Sequence, residues 1–125
     1  MVSSAAAAPA TRVVVVDDSA DSREVLHTLL QSRGVASLEV GEAREGLELI
    51  RQHQPAVVVL DLDAVADQDE ALQNELDAAT QHSQSALVVL GRARRYLGRL
   101  PDGQVIQKPY HYGPLIEIIE RLLDR

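Results

Sequence analysis

Short apolar runs alternate along this chain with longer stretches in which apolar residues recur every three or four positions. Residues 11–16 are β-branched apart from Arg12 and end in four valines, the pattern of a strand buried on both faces. Ser19 to Asp21 supply capping residues, and Asp21 with Glu24 has the spacing of a capping box. Val25, Leu26, Leu29 and Leu30 then recur at helical spacing until Gly34. Residues 35–40 read as a second strand. Ala43, Leu47 and Ile50 mark a second helix, which Pro55 ends. Residues 56–60 form the third and most apolar strand, and Leu72, Leu76 and Ala79 predict a helix over about 67–81. A fourth strand follows at 86–90 and a fifth at 104–107. Gly113-Pro114 opens the last helix, with Pro114 at its first position and Leu115, Ile118, Ile119 and Leu122 as the buried stripe.

Strands alternating with helices predict an α/β fold, a doubly wound, five-stranded parallel sheet with right-handed crossovers. Residues 91–103 are the irregular part. They hold three glycines, one proline and four arginines, with only Tyr96, Leu97 and Leu100 to bury. A helix there is a turn or two, so the fourth helix of the expected series is shortened or degenerate. Residues 1–10 (MVSSAAAAPA) read as a flexible, Ala-rich arm and 11–125 as one domain, with no room left for an output domain.

Composition narrows this further. A chain of 125 residues with 46% hydrophobic positions supports one core. With three Tyr, no Phe and no Trp, that core is built from Val, Leu, Ile and Ala. The absence of cysteine removes disulfides, thiolate metal sites and cysteine nucleophiles. A net charge of −7 argues against direct nucleic-acid binding. No apolar stretch is long enough for membrane insertion and the start lacks a secretory pattern, so the cytoplasm is the default location.

The chemistry collects at strand ends. Asp17-Asp18 follow the first strand, Asp61 ends the third, and Lys108-Pro109 follow the fifth. In an open parallel sheet these ends lie along one edge, where ligands bind. Each element alone has a plainer reading: Asp17-Asp18-Ser19 as a helix cap, Asp61 and Asp63 as loop residues. His27, His53, His82 and His111 show no ligand spacing and are assigned to surfaces. The cluster Arg92, Arg94, Arg95 and Arg99 reads as a solvated face, or as a docking patch on an acidic background.

The ordered set from Arg12 to the C-terminus resembles the receiver domains of bacterial two-component response regulators, which have a flavodoxin-like fold. The resemblance implies Asp61 as phospho-acceptor and Mg²⁺ held by Asp17, Asp18, Asp61 and the backbone carbonyl of Asp63. It also implies Lys108 as the charge partner of the phosphoryl group. Magnesium prefers oxygen ligands, and a compact ammonium suits the remaining phosphoryl oxygen. The implied function is signalling by protein–protein interaction, not enzymatic turnover. A histidine kinase or phosphotransfer protein is the donor and a downstream protein the recipient; homodimer formation stays open.

The chain departs from that family in the shortened segment before Lys108, at Ala64-Val65 and at Arg92, and at two switch positions. Gly91 stands where a Ser or Thr ends the fourth strand, and Val105 stands where an aromatic precedes the lysine by three, so both switch positions are lost. Two alternatives follow: a phosphorylation-independent pseudo-receiver, and a haloacid-dehalogenase-like phosphohydrolase using Asp61-Leu62-Asp63. The second fits poorly, because the acidic pair precedes that motif and no room remains for the rest of such a core.

Overall fold

Four consecutive valines, Val13–Val16, form β1 and are fully buried. In the computed structural model, which describes residues 10–65, 69–91, 100 and 104–125, β1 is an interior strand of the sheet. The remaining strands are β2 (Ser37–Val40), β3 (Val57–Asp61), β4 (Ala86–Leu90) and β5 (Val105–Ile106). All pair in parallel, in the order β2-β1-β3-β4-β5. The helices are α1 (Ala20–Ser32), α2 (Ala43–His53), α3 (Glu70–His82) and α4 (Tyr112–Leu123), with a 3₁₀ turn at Leu62–Ala64 after β3. This is the doubly wound, five-stranded parallel sheet that the alternation of patterns predicts.

Period-two alternation on β1 and β3 divides the core in two. Val14, Val16, Val58 and Leu60 face α2 and α3, packing with Leu47, Ile50, Leu72 and Leu76. Val13, Val15, Val57 and Val59 face α1 and α4, packing with Leu26, Leu30, Leu115 and Ile119. Gly46 lets α2 lie close on β1, because a Cβ there would collide with the Val16 side chain.

Several boundaries differ from expectation, each for a local reason. Ser19, not Asp21, caps α1: its backbone is extended and its side chain accepts the Ser22 N–H at 3.3 Å. Asp21 therefore lies inside the first turn, and the expected Asp21/Glu24 capping box does not form the cap. On α1 only Leu26 and Leu30 are buried, while Val25 is 37% exposed. The last helix begins at Tyr112 with His111 as its cap, which moves Pro114 to the third helical position. Proline is tolerated there because the first four N–H groups of a helix have no intrahelical acceptor. Its buried set is Leu115, Ile116, Ile119, Leu122 and Leu123, so Ile116 and Leu123 join the core and Ile118 is only partly covered. The expected N-terminal arm, apart from Ala10, and the shortened fourth helix with its arginine cluster lie outside the described residues.

Candidate functional site

Strand register brings the acidic residues together. Val16 pairs with Leu60, so Asp17, the next residue, comes alongside Asp61, the last residue of β3. The chain leaves β1 toward β2 on one side and returns to β3 on the other, which makes this the point where the strand order reverses. Asp17 and Asp61 are each 1% exposed, and Asp18 is exposed. One carboxylate oxygen from each of the three lies within 4.8 Å of the others.

Asp17 is fixed from several directions. Its N–H donates to the Val40 carbonyl at 2.9 Å, and its own carbonyl accepts from Arg23 Nη1 at 2.7 Å. One carboxylate oxygen, Oδ1, accepts the Ser19 N–H at 2.9 Å. The other, Oδ2, is buried and has no hydrogen-bond partner among the described residues. Burial holds the Asp17 carboxyl above its ordinary 3.8; the Ser19 N–H opposes this and the nearby Asp61 charge adds to it. A buried, unmatched carboxylate oxygen facing two further carboxylates fits a hard divalent cation, which takes oxygen ligands.

Asp61 and Lys108 form the second half. Asp61 Oδ1 accepts the Asp63 N–H at 2.9 Å across the 3₁₀ turn. Lys108 Nζ donates to Asp61 Oδ1 at 2.8 Å and Oδ2 at 2.6 Å, and to Asp63 Oδ2 at 2.7 Å. Burial works against the lysine's charge, but hydrogen bonds to Asp61 and Asp63, with their negative charges, outweigh it and hold the ammonium above its usual value. The Lys108–Pro109 peptide is cis.

Gly91 follows β4 at the same edge, its N–H donating to the Ile106 carbonyl at 2.8 Å. Its φ of +110° is a conformation that side chains other than glycine rarely adopt. Val105 is half-buried and packs against the core under α2 and α3. Neither position presents a hydroxyl or an aromatic ring.

The structure adds residues that the chain's periodicity did not single out. Arg23 reaches from α1 to the Asp17 carbonyl, and its guanidinium fills the space that a Cβ at Gly41 would need. Tyr110 and Tyr112 form an edge-to-face pair, with ring centroids 5.6 Å apart. The Tyr112 hydroxyl lies 3.0 Å from Ser22 Oγ on α1. Burial, with the charges of Asp17 and Asp61 nearby, pushes the Tyr110 phenol up to about 12. Of the histidines, His27 pairs with Glu39 at 2.7 Å on the surface, and His82 and His111 are exposed; His53 is half-buried.

A cavity of about 690 Å³ opens at the opposite edge, between Arg12, Ser85, Leu87, Gln104 and Leu122. Size alone would favour it as a ligand site. The convergent acidic cluster and lysine sit at the other edge, and chemistry outweighs volume here. No helix among the described residues is long and apolar enough to cross a membrane.

No protein-family model matches the chain. A 55-residue stretch is 53% identical to "Protein-glutamate methylesterase/protein-glutamine glutaminase 2" of Nitratidesulfovibrio vulgaris, covering 41% of this chain and 14% of that protein. The chain thus matches only a small part of the length of this curated relative. Among solved structures, the receiver domain of the Francisella response regulator 1452 superposes with a TM-score of 0.75 at 21% identity, covering 92% of this chain and 98% of that one. A CheY-like response regulator receiver domain protein from Methanospirillum hungatei gives 0.74 at 22% identity, covering 93% and 95%. These superpositions establish the fold.

Proposed function

We propose that this chain, which resembles response-regulator receiver domains in fold and in the order of its edge residues, is an atypical receiver that accepts a phosphoryl group on Asp61. The observation that carries this is the seating of Lys108 on both oxygens of a buried Asp61, beside the buried and unmatched Asp17 Oδ2. Asp17, Asp18 and Asp61, with the backbone carbonyl of Asp63, would hold Mg²⁺. Bound there, the ion would neutralise phosphoryl oxygens so that a carboxylate can approach phosphorus.

The chain's own residues supply the rest. A carboxylate oxygen of Asp61 forms the new P–O bond while the bond from phosphorus to the donor atom breaks. The leaving atom keeps that electron pair. The Asp63 N–H on Asp61 Oδ1 orients the carboxylate, so that Oδ2 becomes the attacking oxygen once Lys108 moves off it. Lys108 then shifts donors from the carboxylate to the phosphoryl group, a compact charge matched to a compact anion. Arg23 and the Val40 carbonyl hold the Asp17 backbone so that the acidic pair keeps its place. The donor would be a histidine kinase or a phosphotransfer protein in the cytoplasm, and the product a changed surface for a partner protein.

A second reading has its own support. Gly91 at φ +110° and the aliphatic Val105 leave the two usual readout positions without a hydroxyl or a ring. A domain that binds a partner without being phosphorylated would need neither. Uptake from acetyl phosphate, followed by intact mass, separates the two. A Mg²⁺-dependent gain of one phosphoryl group that disappears in Asp61→Asn is the expected result. A folded protein that gains none, with or without Mg²⁺, would favour the interaction module.

A further inference from the structure

We propose that the Asp63 side chain is a positioning residue that clamps Lys108 onto Asp61 and so restrains phosphoryl uptake. This deepens the receiver reading and rests on it.

An ammonium has three donors. Lys108 Nζ lies 2.8 and 2.6 Å from Asp61 Oδ1 and Oδ2 and 2.7 Å from Asp63 Oδ2, so two carboxylates share its donors. An arriving phosphoryl oxygen must compete with both carboxylates for this ammonium, which also covers both oxygens of the acceptor. Lys108 is the only lysine in the chain, so no second ammonium can take its place. Asp63 grips the site twice, because its N–H also holds Asp61 Oδ1 at 2.9 Å. The 3₁₀ turn Leu62–Ala64 fixes both contacts on one residue.

Charge acts in the same direction. Asp63 adds a carboxylate beside Asp17, Asp18 and Asp61, and an incoming phosphodonor is an anion. The side chain of Asp63 is 66% exposed, so it contributes to the mouth of the site and not to the core. Removing it would free one Lys108 donor and one like charge while leaving the backbone carbonyl in place. Its exposure also limits the size of the effect, since ion pairs in contact with water are weak.

The test is the rate of phosphoryl uptake from acetyl phosphate with Mg²⁺, by intact mass, for the wild type, Asp63→Ala, Asp63→Glu and Asp61→Asn. The expected result is uptake about fivefold faster in Asp63→Ala. That gain should shrink toward unity at about 1 M salt, where exposed charges are screened. Asp63→Glu, which restores the charge, should return toward the wild-type rate. If Asp63→Ala is no faster than a wild type whose label is lost in Asp61→Asn, the clamp is wrong and the receiver reading stands. A faster Asp63→Ala whose gain ignores salt and is not reversed by Asp63→Glu also overturns it, as a purely structural effect. No uptake in any variant removes the receiver reading, and the clamp with it. Uptake in Asp63→Ala alone would support the clamp in its strongest form.

Discussion

At the scale of single residues, Asp17 shows why this edge suits a cation. Its folded pKa lies above the ordinary 3.8, with burial as the main cause. The folded state therefore binds this proton more tightly than the unfolded state, and stability falls as pH rises from 3.8 through the folded value. Above that folded value the ion-free fold carries the whole of the penalty. Asp17→Asn removes the charge and offers an amide donor toward Asp61, so in chelator it should stabilise the protein by about 1 kcal/mol. The same substitution should abolish any rise in Tm that Mg²⁺ gives the wild type. Thermal unfolding with EDTA and with Mg²⁺ checks both; a less stable Asp17→Asn in EDTA would contradict this account of the pocket. Asp17, Asp18, Asp61 and Lys108 were legible because each closes an apolar run. Arg23, the Asp63 side chain and the Tyr110–Tyr112 pair were not. Their roles depend on where a side chain turns after the backbone has left its strand, which no periodicity encodes.

At the scale of elements, apolar runs gave the strands closely and helix ends less so. β4 falls at Ala86–Leu90 as its composition predicts, because five apolar residues between turn residues leave little freedom. α4 starts earlier than Gly113-Pro114 suggests, because proline is tolerated at any of the first positions where the N–H would be unpaired. Capping of α1 by Ser19 was hidden for a similar reason: several capping residues stand in a row and tertiary contacts choose among them. The contact of α2 with β1 depends on Gly46, whose missing Cβ lets the helix sit against Val16. Gly46→Ala gains helix propensity but forces the helix away from the strand, an overpacking cost of about 1–3 kcal/mol. Urea unfolding should show that loss, and an unchanged midpoint would mean that the helix has room to spare. Because Val16 directly precedes Asp17, the same substitution should also weaken Mg²⁺ binding.

At the scale of the whole molecule, one topological fact organises the rest. The reversal of strand order beside β1 opens a crevice at the C-terminal edge, and the register of β1 on β3 sets Asp17 beside Asp61 within it. Lys108 reaches the same crevice from the end of β5, two residues beyond Ile106. The fold was readable because both faces of the sheet are covered and the strands are accordingly continuous in apolar character. How phosphorylation would be read out was not, because Gly91 and Val105 remove the usual groups and the composition of 91–103 specifies no regular element.

The central claim is that Asp61 itself becomes an acyl phosphate. Borohydride reduces such a mixed anhydride to the alcohol and leaves an unmodified carboxylate untouched, so the acceptor is marked in place. The measurement is peptide mass mapping of the full chain after acetyl phosphate, Mg²⁺ and borohydride. The account expects homoserine at position 61, dependent on Mg²⁺ and strongly reduced in Asp17→Asn. Homoserine at another aspartate, or an unmodified Asp61 in a protein that has gained a phosphoryl group, would contradict it.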